Sequence, residues 1–463
     1  MSDPTEAELQ KKLSAIIAPQ RVRAELSRRD ELSWDALSQG RLHPRKILDR
    51  TLPFCVVEPA STFEVQQIVR FANVEKVPIV PYGGGSGLMG GALSTRPNIL
   101  LDLRGMNRVL EIDSEALSAR MQAGIVLENL DKKLNEVGFI LGHDPWTVPV
   151  ATVGGAISTN SVGYRAGIYG SMGAQVLGLE AVLPNGEILR TRGISKSSAG
   201  LNLNGLLIGG EGCFGVITEA TIRIFPQPEN RLLYGIRFVS FEPGFKAVEK
   251  LFQRRIRPAL LDFGDEEDHN GAPLYLGFEG TREIVEAEAK LAVAICTQEG
   301  GELLPAREVE NFWRNRHVIA RRFMNNRWQR RERGRDGIFR DWIHVALPAS
   351  KVLGFRTAAR DITEKRGVEL QESGLWVQPE LFSMRLAAKE GQIANPQLAL
   401  EETIEELLRL VQQLGGSMEY THGVGVKLAP LMAAEHGYGL EVMRQIKKTL
   451  DPNDIMNPGK MGL

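Results

Sequence analysis

The feature that most constrains this chain is the stretch "IVPYGGGSGLMGGALSTRPNILLDL", residues 79–103. It contains Gly85-Ser86-Gly87-Leu88-Met89-Gly90, a literal G-x-G-x-x-G, followed by the acid Asp102. A nicotinamide-type dinucleotide fold needs its third glycine to open a helix whose N-terminus meets the pyrophosphate. Here Pro97 ends any such helix within about two turns, and "NILLDL" after it is a β-type run. The stretch therefore joins strand to strand or to a short turn, and Asp102 falls at a strand end. Six of the nine residues from Gly83 to Gly91 are glycine, so successive backbone N–H groups can converge on an anion without a Cβ in the way.

The 463 residues exceed one simple core, so two or three packed units are expected. With 56 basic against 57 acidic side chains, the chain lacks the basic excess of a nucleic-acid binder. Cys55, Cys213 and Cys296 have no C-x-x-C spacing, which points to a reducing compartment and a cytoplasmic location. No apolar run approaches the length of a membrane span; peripheral attachment to a membrane is left open.

Residues 1–45 read as a helical arm. From 46 to 228, short strands and helices alternate, with Ser61 as a helix N-cap and Asn185-Gly186 as a hairpin turn. Residues 229–412 read as a second α+β unit. The segment 413–463 is again punctuated by glycine and proline and reads as ligand-facing loops around one helix.

Four ordered motifs, "VPIVPYGGGSGL", "ATVGGAISTNSVG", "GGEGCFGVITEATIRIFP" and "LDPNDIMNPGK", resemble the FAD-linked oxidase family with the vanillyl-alcohol-oxidase (PCMH) type of flavin domain. The resemblance implies an α+β fold of two α/β subdomains for FAD plus an α+β cap. It places Pro81, Tyr82, Gly83, Gly84, Gly85, Ser86 and Gly87 at the pyrophosphate. Trp146, Thr147, Val148, Pro149, Val150, Ala151 and Thr152, with Thr159, Asn160, Ser161 and Val162, would line the flavin. Glu211, Gly212, Cys213, Phe214, Gly215, Val216 and Ile217 would hold the adenine end, largely through backbone groups, and Asn457 and Lys460 add C-terminal contacts. Ser86 stands where covalent members place a histidine, so non-covalent FAD is expected.

The chain resembles the D-2-hydroxy-acid dehydrogenases of that family but departs from their metal-dependent members. "LWVQPELFSMRLAAKEG" has no histidine where two ligands belong, and Thr421 replaces the ligand glutamate in "GGSMEYTHGVG". The base position, His422, is kept. His344 and His436 lie at no ligand spacing from it, so no metal is expected. "GHDPWTVP" and the G-V-G after His422 are also similar to the alkylglycerone-phosphate synthases, an FAD family without net redox change; a flavin subunit of a larger glycolate-oxidase-like complex is the third reading.

The leading expectation is hydride removal from the carbinol carbon of a small anionic, 2-hydroxy-acid-like substrate. His422 would take the hydroxyl proton, as an imidazole can near neutral pH. Arg316, in a W-x-x-R pattern, would pair with the anionic group. His143 and Trp146 are candidates for the flavin pocket. The electron acceptor is open among oxygen, a quinone and a partner flavoprotein, and a homodimer is compatible with the fold. The Arg-rich tract Arg327–Arg335 reads as a solvated loop.

Overall fold

A computed structural model describes residues 6–37, 51–266, 271–325 and 337–463. The Arg327–Arg335 tract lies outside the described residues. Three larger sheets, each with its own core, organise the described residues, beside a two-stranded pair of Phe139–Ile140 with Phe225–Pro226.

The first is built on parallel strands Cys55–Val57, Ile99–Asp102 and Ile79–Tyr82, with the middle of these between the other two. Pro97 does what the sequence implies: no helix separates the glycine stretch from the strand ending at Asp102. Helix Thr62–Glu75 is capped by Ser61, whose hydroxyl accepts the N–H of Glu64 at 3.2 Å. Its buried residues Val65, Ile68, Val69 and Ala72 form one helical face. At roughly 1.5–3 kcal/mol for each larger aliphatic side chain, this burial outweighs the cap.

The expected helical arm is corrected here. Beside helices Glu6–Leu13 and Leu26–Leu32 it supplies a strand, Val22–Arg23, that pairs antiparallel with Val56–Val57. Leu9, Leu13 and Ile17 sit in the core of this first unit, because apolar spacing cannot show that a short connector will be taken up as a sheet edge.

The second sheet has five antiparallel strands, in the order Val109–Asp113, Ser118–Gln122, Val216–Arg223, Val176–Val182, Ile188–Arg190. Its last two strands form the expected hairpin at Asn185-Gly186, with Gly186 at φ +79°.

The third sheet has seven antiparallel strands, in the order Glu302–Leu303, Asn230–Phe238, Ala272–Gly280, Leu260–Glu266, Glu369–Trp376, Leu381–Lys389, Ile338–Ala346. Period-two alternation sends Ile343, Val345, Phe382, Met384 and Leu386 into a core shared with helices Ala349–Arg366 and Pro396–Gln413. The alternate residues Trp342, His344, Ser383 and Arg385 share the other face, paired His344 with Ser383 and Trp342 with Arg385. That face meets the first two units: the Tyr164 ring stacks on Trp376 at 4.8 Å, and Arg165 approaches Glu279 at 3.3 Å.

The last fifty residues stitch the units together. Ser417 bridges to Ala346, and Met456 bridges to Ile79. No helix among the described residues is long and apolar enough to cross a membrane.

Candidate active site

The segments expected to hold a cofactor do converge. A Cβ on Gly84 would lie 2.1 Å from the Val150 carbonyl, and one on Gly83 would lie 2.3 Å from Thr152 Oγ1. Only bare backbone allows the loop at 83–87 to close against residues 150–152. Gly209 and Glu211 donate to the carbonyls of Ile157 and Ser158, which sets the 209–215 loop against the same wall. Asn457 donates to the carbonyls of Gly91 and Glu211 at 2.8 and 2.6 Å. Its Oδ1 is buried with no hydrogen-bond partner among the described residues, an acceptor that a hydroxyl or amino group of FAD would satisfy. An uncharged glycine cradle beside an orphaned amide oxygen fits the cofactor.

Several expected cofactor contacts have other side-chain duties. Tyr82 packs with Leu32, Val56 and Leu100, while Val148, Ala151 and Ile217 lie in the second core and Val216 in the first. Cys213 and Phe214 belong to the cap's core, and the Cys213 carbonyl is bonded by Lys447. Asn160 Oδ1 accepts from Ser171 Oγ and Gly173 N. Side chains engaged in this way are in keeping with contacts to a ligand made largely through backbone. Burial pushes the Cys213 thiol up to about 12, so it is an inert apolar filler.

The Glu211 side chain has the most telling of these other duties. Its carboxylate accepts the N–H groups of Val424 and Gly425 at 2.6 and 2.8 Å, which leaves contact with the adenine end to its backbone. Burial pushes it up to about 7, against the opposing pull of those two N–H groups and of Lys460. Gly425 in turn packs where a Cβ would lie 2.0 Å from the Met89 carbonyl, so the loop bearing His422 rests on the glycine stretch.

On its upstream side His422 is held by Glu419, whose Oε1 accepts the N–H groups of Thr421 and His422 at 2.8 and 2.9 Å. Thr421 Oγ1 accepts the N–H of Val162 at 3.2 Å. The imidazole thus stands at the seam between the expected flavin wall and the cap sheet. Its Nδ1 has no hydrogen-bond partner among the described residues and lies 3.5 Å from Glu419 Oε1.

His344, set aside for lack of spacing, is its neighbour: the two rings lie 4.4 Å apart, centroid to centroid. Sequence distance does not limit an edge strand, whose register places it against whatever follows the next turn. Tyr420 joins the group, its hydroxyl 2.8 Å from Ser383 Oγ and its ring 5.8 Å from His344.

Arg316, the expected substrate cation, has other partners. Its Nε donates to Asp144 Oδ2 at 3.0 Å, Nη1 donates to the Trp313 carbonyl at 2.8 Å, and the guanidinium lies 3.8 Å from the centroid of the Trp313 ring. His317 bonds the other oxygen of Asp144 at 2.8 Å. These partners hold the Asp144 carboxyl far below the usual range despite its burial. Two of the three guanidinium nitrogens of Arg316 are thus engaged within the protein. Arg385 is the better-placed cation: it shares a sheet face with Ser383 and His344, its Nε is buried without a partner among the described residues, and Glu372 is no nearer than 3.7 Å. An arginine on an otherwise apolar strand, "FSMRLAA", was the signal for it. His143 bonds Ser161 Oγ at 3.0 Å, and burial lowers it to about 4, keeping it neutral.

A glycine cradle closed by a C-terminal loop, with an antiparallel cap above it, defines a two-domain flavoprotein. Residues 53–192 match the FAD binding domain model, and residues 227–461 match the model of the FAD linked oxidases' C-terminal domain. The chain belongs to the FAD-linked oxidase family, and its cofactor is FAD. It is 32% identical to a D-lactate dehydrogenase of Archaeoglobus fulgidus, over 88% of this chain and 91% of that one. It is 29% identical to the glycolate oxidase subunit GlcD of Bacillus subtilis, over 89% of both. The fold matches a solved alkyldihydroxyacetonephosphate synthase with TM-score 0.78 at 21% identity, over 99% of this chain and 86% of that one.

Proposed function

We propose that this chain oxidises the carbinol carbon of a small 2-hydroxy acid, with His422 as the general base and Arg385 as the anchor for the substrate carboxylate. The observation that carries the proposal is the placement of His422. It is fixed by carboxylates on both sides, Glu419 upstream and Glu211 downstream, on a loop touching both the glycine stretch and the cap.

Bound FAD supplies the hydride acceptor. The protein's part is to hold the acid and take its hydroxyl proton. Pro81–Gly87 and Trp146–Thr152 would cradle the cofactor through backbone groups, with Ser161 and Val162 at its edge. An imidazole nitrogen within hydrogen-bond reach of the substrate hydroxyl accepts its proton as the C–H bond breaks. Ser383 and Tyr420, joined at 2.8 Å, supply hydroxyls on the same face to orient the substrate. The similarity to a D-lactate dehydrogenase and to a glycolate oxidase subunit supports the substrate class. None of these steps calls on a metal.

Anaerobic mixing of the FAD-loaded protein with a panel of 2-hydroxy acids tests the reading. Bleaching of the flavin by at least one acid, slowed about 10²–10⁴-fold in His422→Ala with flavin content intact, is expected. Equal bleaching rates in the two proteins would remove His422 as the base. If no acid bleaches the flavin but an acyl-dihydroxyacetone phosphate perturbs its spectrum, synthase chemistry replaces oxidation.

A further inference from the structure

We infer that His344, Glu419 and His422 form a site for one divalent metal ion of the zinc class, and that its occupation silences His422. The inference rests on the reading of His422 as the base and adds a control on it.

One donor atom from each residue lies within 4.8 Å of the other two. A tetrahedral zinc centre with bonds of about 2.0–2.1 Å sets its donors about 3.3 Å apart. The pair His422 Nδ1 and Glu419 Oε1 is already at 3.5 Å, and a His344 nitrogen lies within 4.8 Å of both, so the three side chains must draw together by up to about 1.5 Å to reach the tetrahedral spacing. Two neutral imidazoles and one carboxylate suit zinc and its borderline neighbours rather than magnesium or calcium, which prefer all-oxygen shells.

The carboxylate is oriented in advance. Glu419 is held by the N–H groups of Thr421 and His422, and its side chain is 5% exposed. A ligand fixed this way loses little freedom on binding. The His422 side chain is 15% exposed, so the site is reachable by an ion from solvent.

These donors are not those of the metal-dependent relatives. Thr421 occupies the position of their glutamate, and the strand Leu381–Lys389 carries no histidine. Here one histidine comes from the neighbouring edge strand, and the carboxylate lies two residues before Thr421.

The same geometry sets the consequence. When Nδ1 of His422 binds a cation, its Nε2 carries the proton, and the ring has no lone pair with which to take a substrate proton. The loaded site is therefore an off state.

The test uses FAD-loaded protein stripped with a chelator and titrated with Zn²⁺ against a chromophoric competitor. One equivalent should bind, and His344→Ala and Glu419→Gln should each weaken it at least tenfold. A separate titration with Co²⁺ should raise ligand-field bands to the red of the flavin absorption, absent in His344→Ala. Zn²⁺ should slow flavin reduction by substrate in wild type with the same midpoint as its binding. No binding, or binding unchanged in His344→Ala with its flavin retained, would overturn the site. Binding that leaves reduction unchanged or speeds it would overturn the off state. The binding arm needs no turnover, so failure of His422 as the base would be recognised separately.

Discussion

The carboxylate of Glu211 accepts the backbone N–H of Gly425 at 2.8 Å, across 214 positions of sequence. With the companion bond to Val424, it fixes the turn that carries His422 against the flavin half of the molecule. On the proposed chemistry Glu211 is a positioning residue, since its carboxylate holds the backbone of the His422 loop.

Replacing Glu211 should therefore injure rate more than cofactor retention. Glu211→Ala is expected to keep most of its FAD while flavin reduction slows by about a hundredfold, as misplacing a catalytic group by about 1 Å does. Glu211→Gln keeps one acceptor and sets an amide N–H₂ against the second backbone N–H, so it should fall between. Stopped-flow reduction rates beside flavin-to-protein ratios check this. Parallel loss of both quantities would mean a purely structural role.

Two arginines should separate cleanly. Arg385→Met is expected to raise KM for a 2-hydroxy acid by about 10–100-fold, the worth of a charge-assisted bond. Arg316→Met strips Asp144 of a partner and should lower the unfolding midpoint while KM of the surviving enzyme stays near wild type. Steady-state kinetics and chemical denaturation of both variants decide it.

His143 makes stability depend on acid. Burial lowers its pKa from 6.5 to about 4, so between those values the unfolded chain binds a proton that the folded one refuses. Stability is full above pH 6.5 and is lost as pH falls through about 4. The shift corresponds to a loss on the order of 3 kcal/mol. His143→Asn should flatten this limb of the denaturation profile measured from pH 7 to pH 4, and an unchanged slope would refute the assignment.

The cradle makes a further prediction. In Gly84→Ala, the added Cβ meets the Val150 carbonyl at 2.1 Å, so the two loops must part. Purified Gly84→Ala should carry little FAD and bind added FAD at least tenfold more weakly than wild type, read by fluorescence titration.

What could be read from the chain divides along physical lines. Local chemistry was legible: the Ser61 cap, the Asn185-Gly186 hairpin and the veto of Pro97 on a helix each depend on a few neighbours. The glycine loops were legible too, because close approach leaves only one residue type possible. The side-chain duty of Glu211 was not legible because its partners at 424 and 425 are backbone groups, which carry no side-chain signature. His344 was missed for a related reason: strand register, set by pairing with Ser383, decides which residues share a face. Arg316 looked available because the buried acid that consumes it, Asp144, lies in another unit.

The bridge from Ile79 to Met456 has a meaning in time. A chain is made from one end, at about 5–20 residues per second. The glycine stretch is therefore synthesised roughly 20–70 s before the loop at 422–425 that rests on Met89. Throughout that interval the cradle has walls but no lid, and Glu211 is a carboxylate awaiting the two amides it will hold. Assembly of the seam around His422 is thus a closing event, late by construction, and slow translation of the cap delays it further.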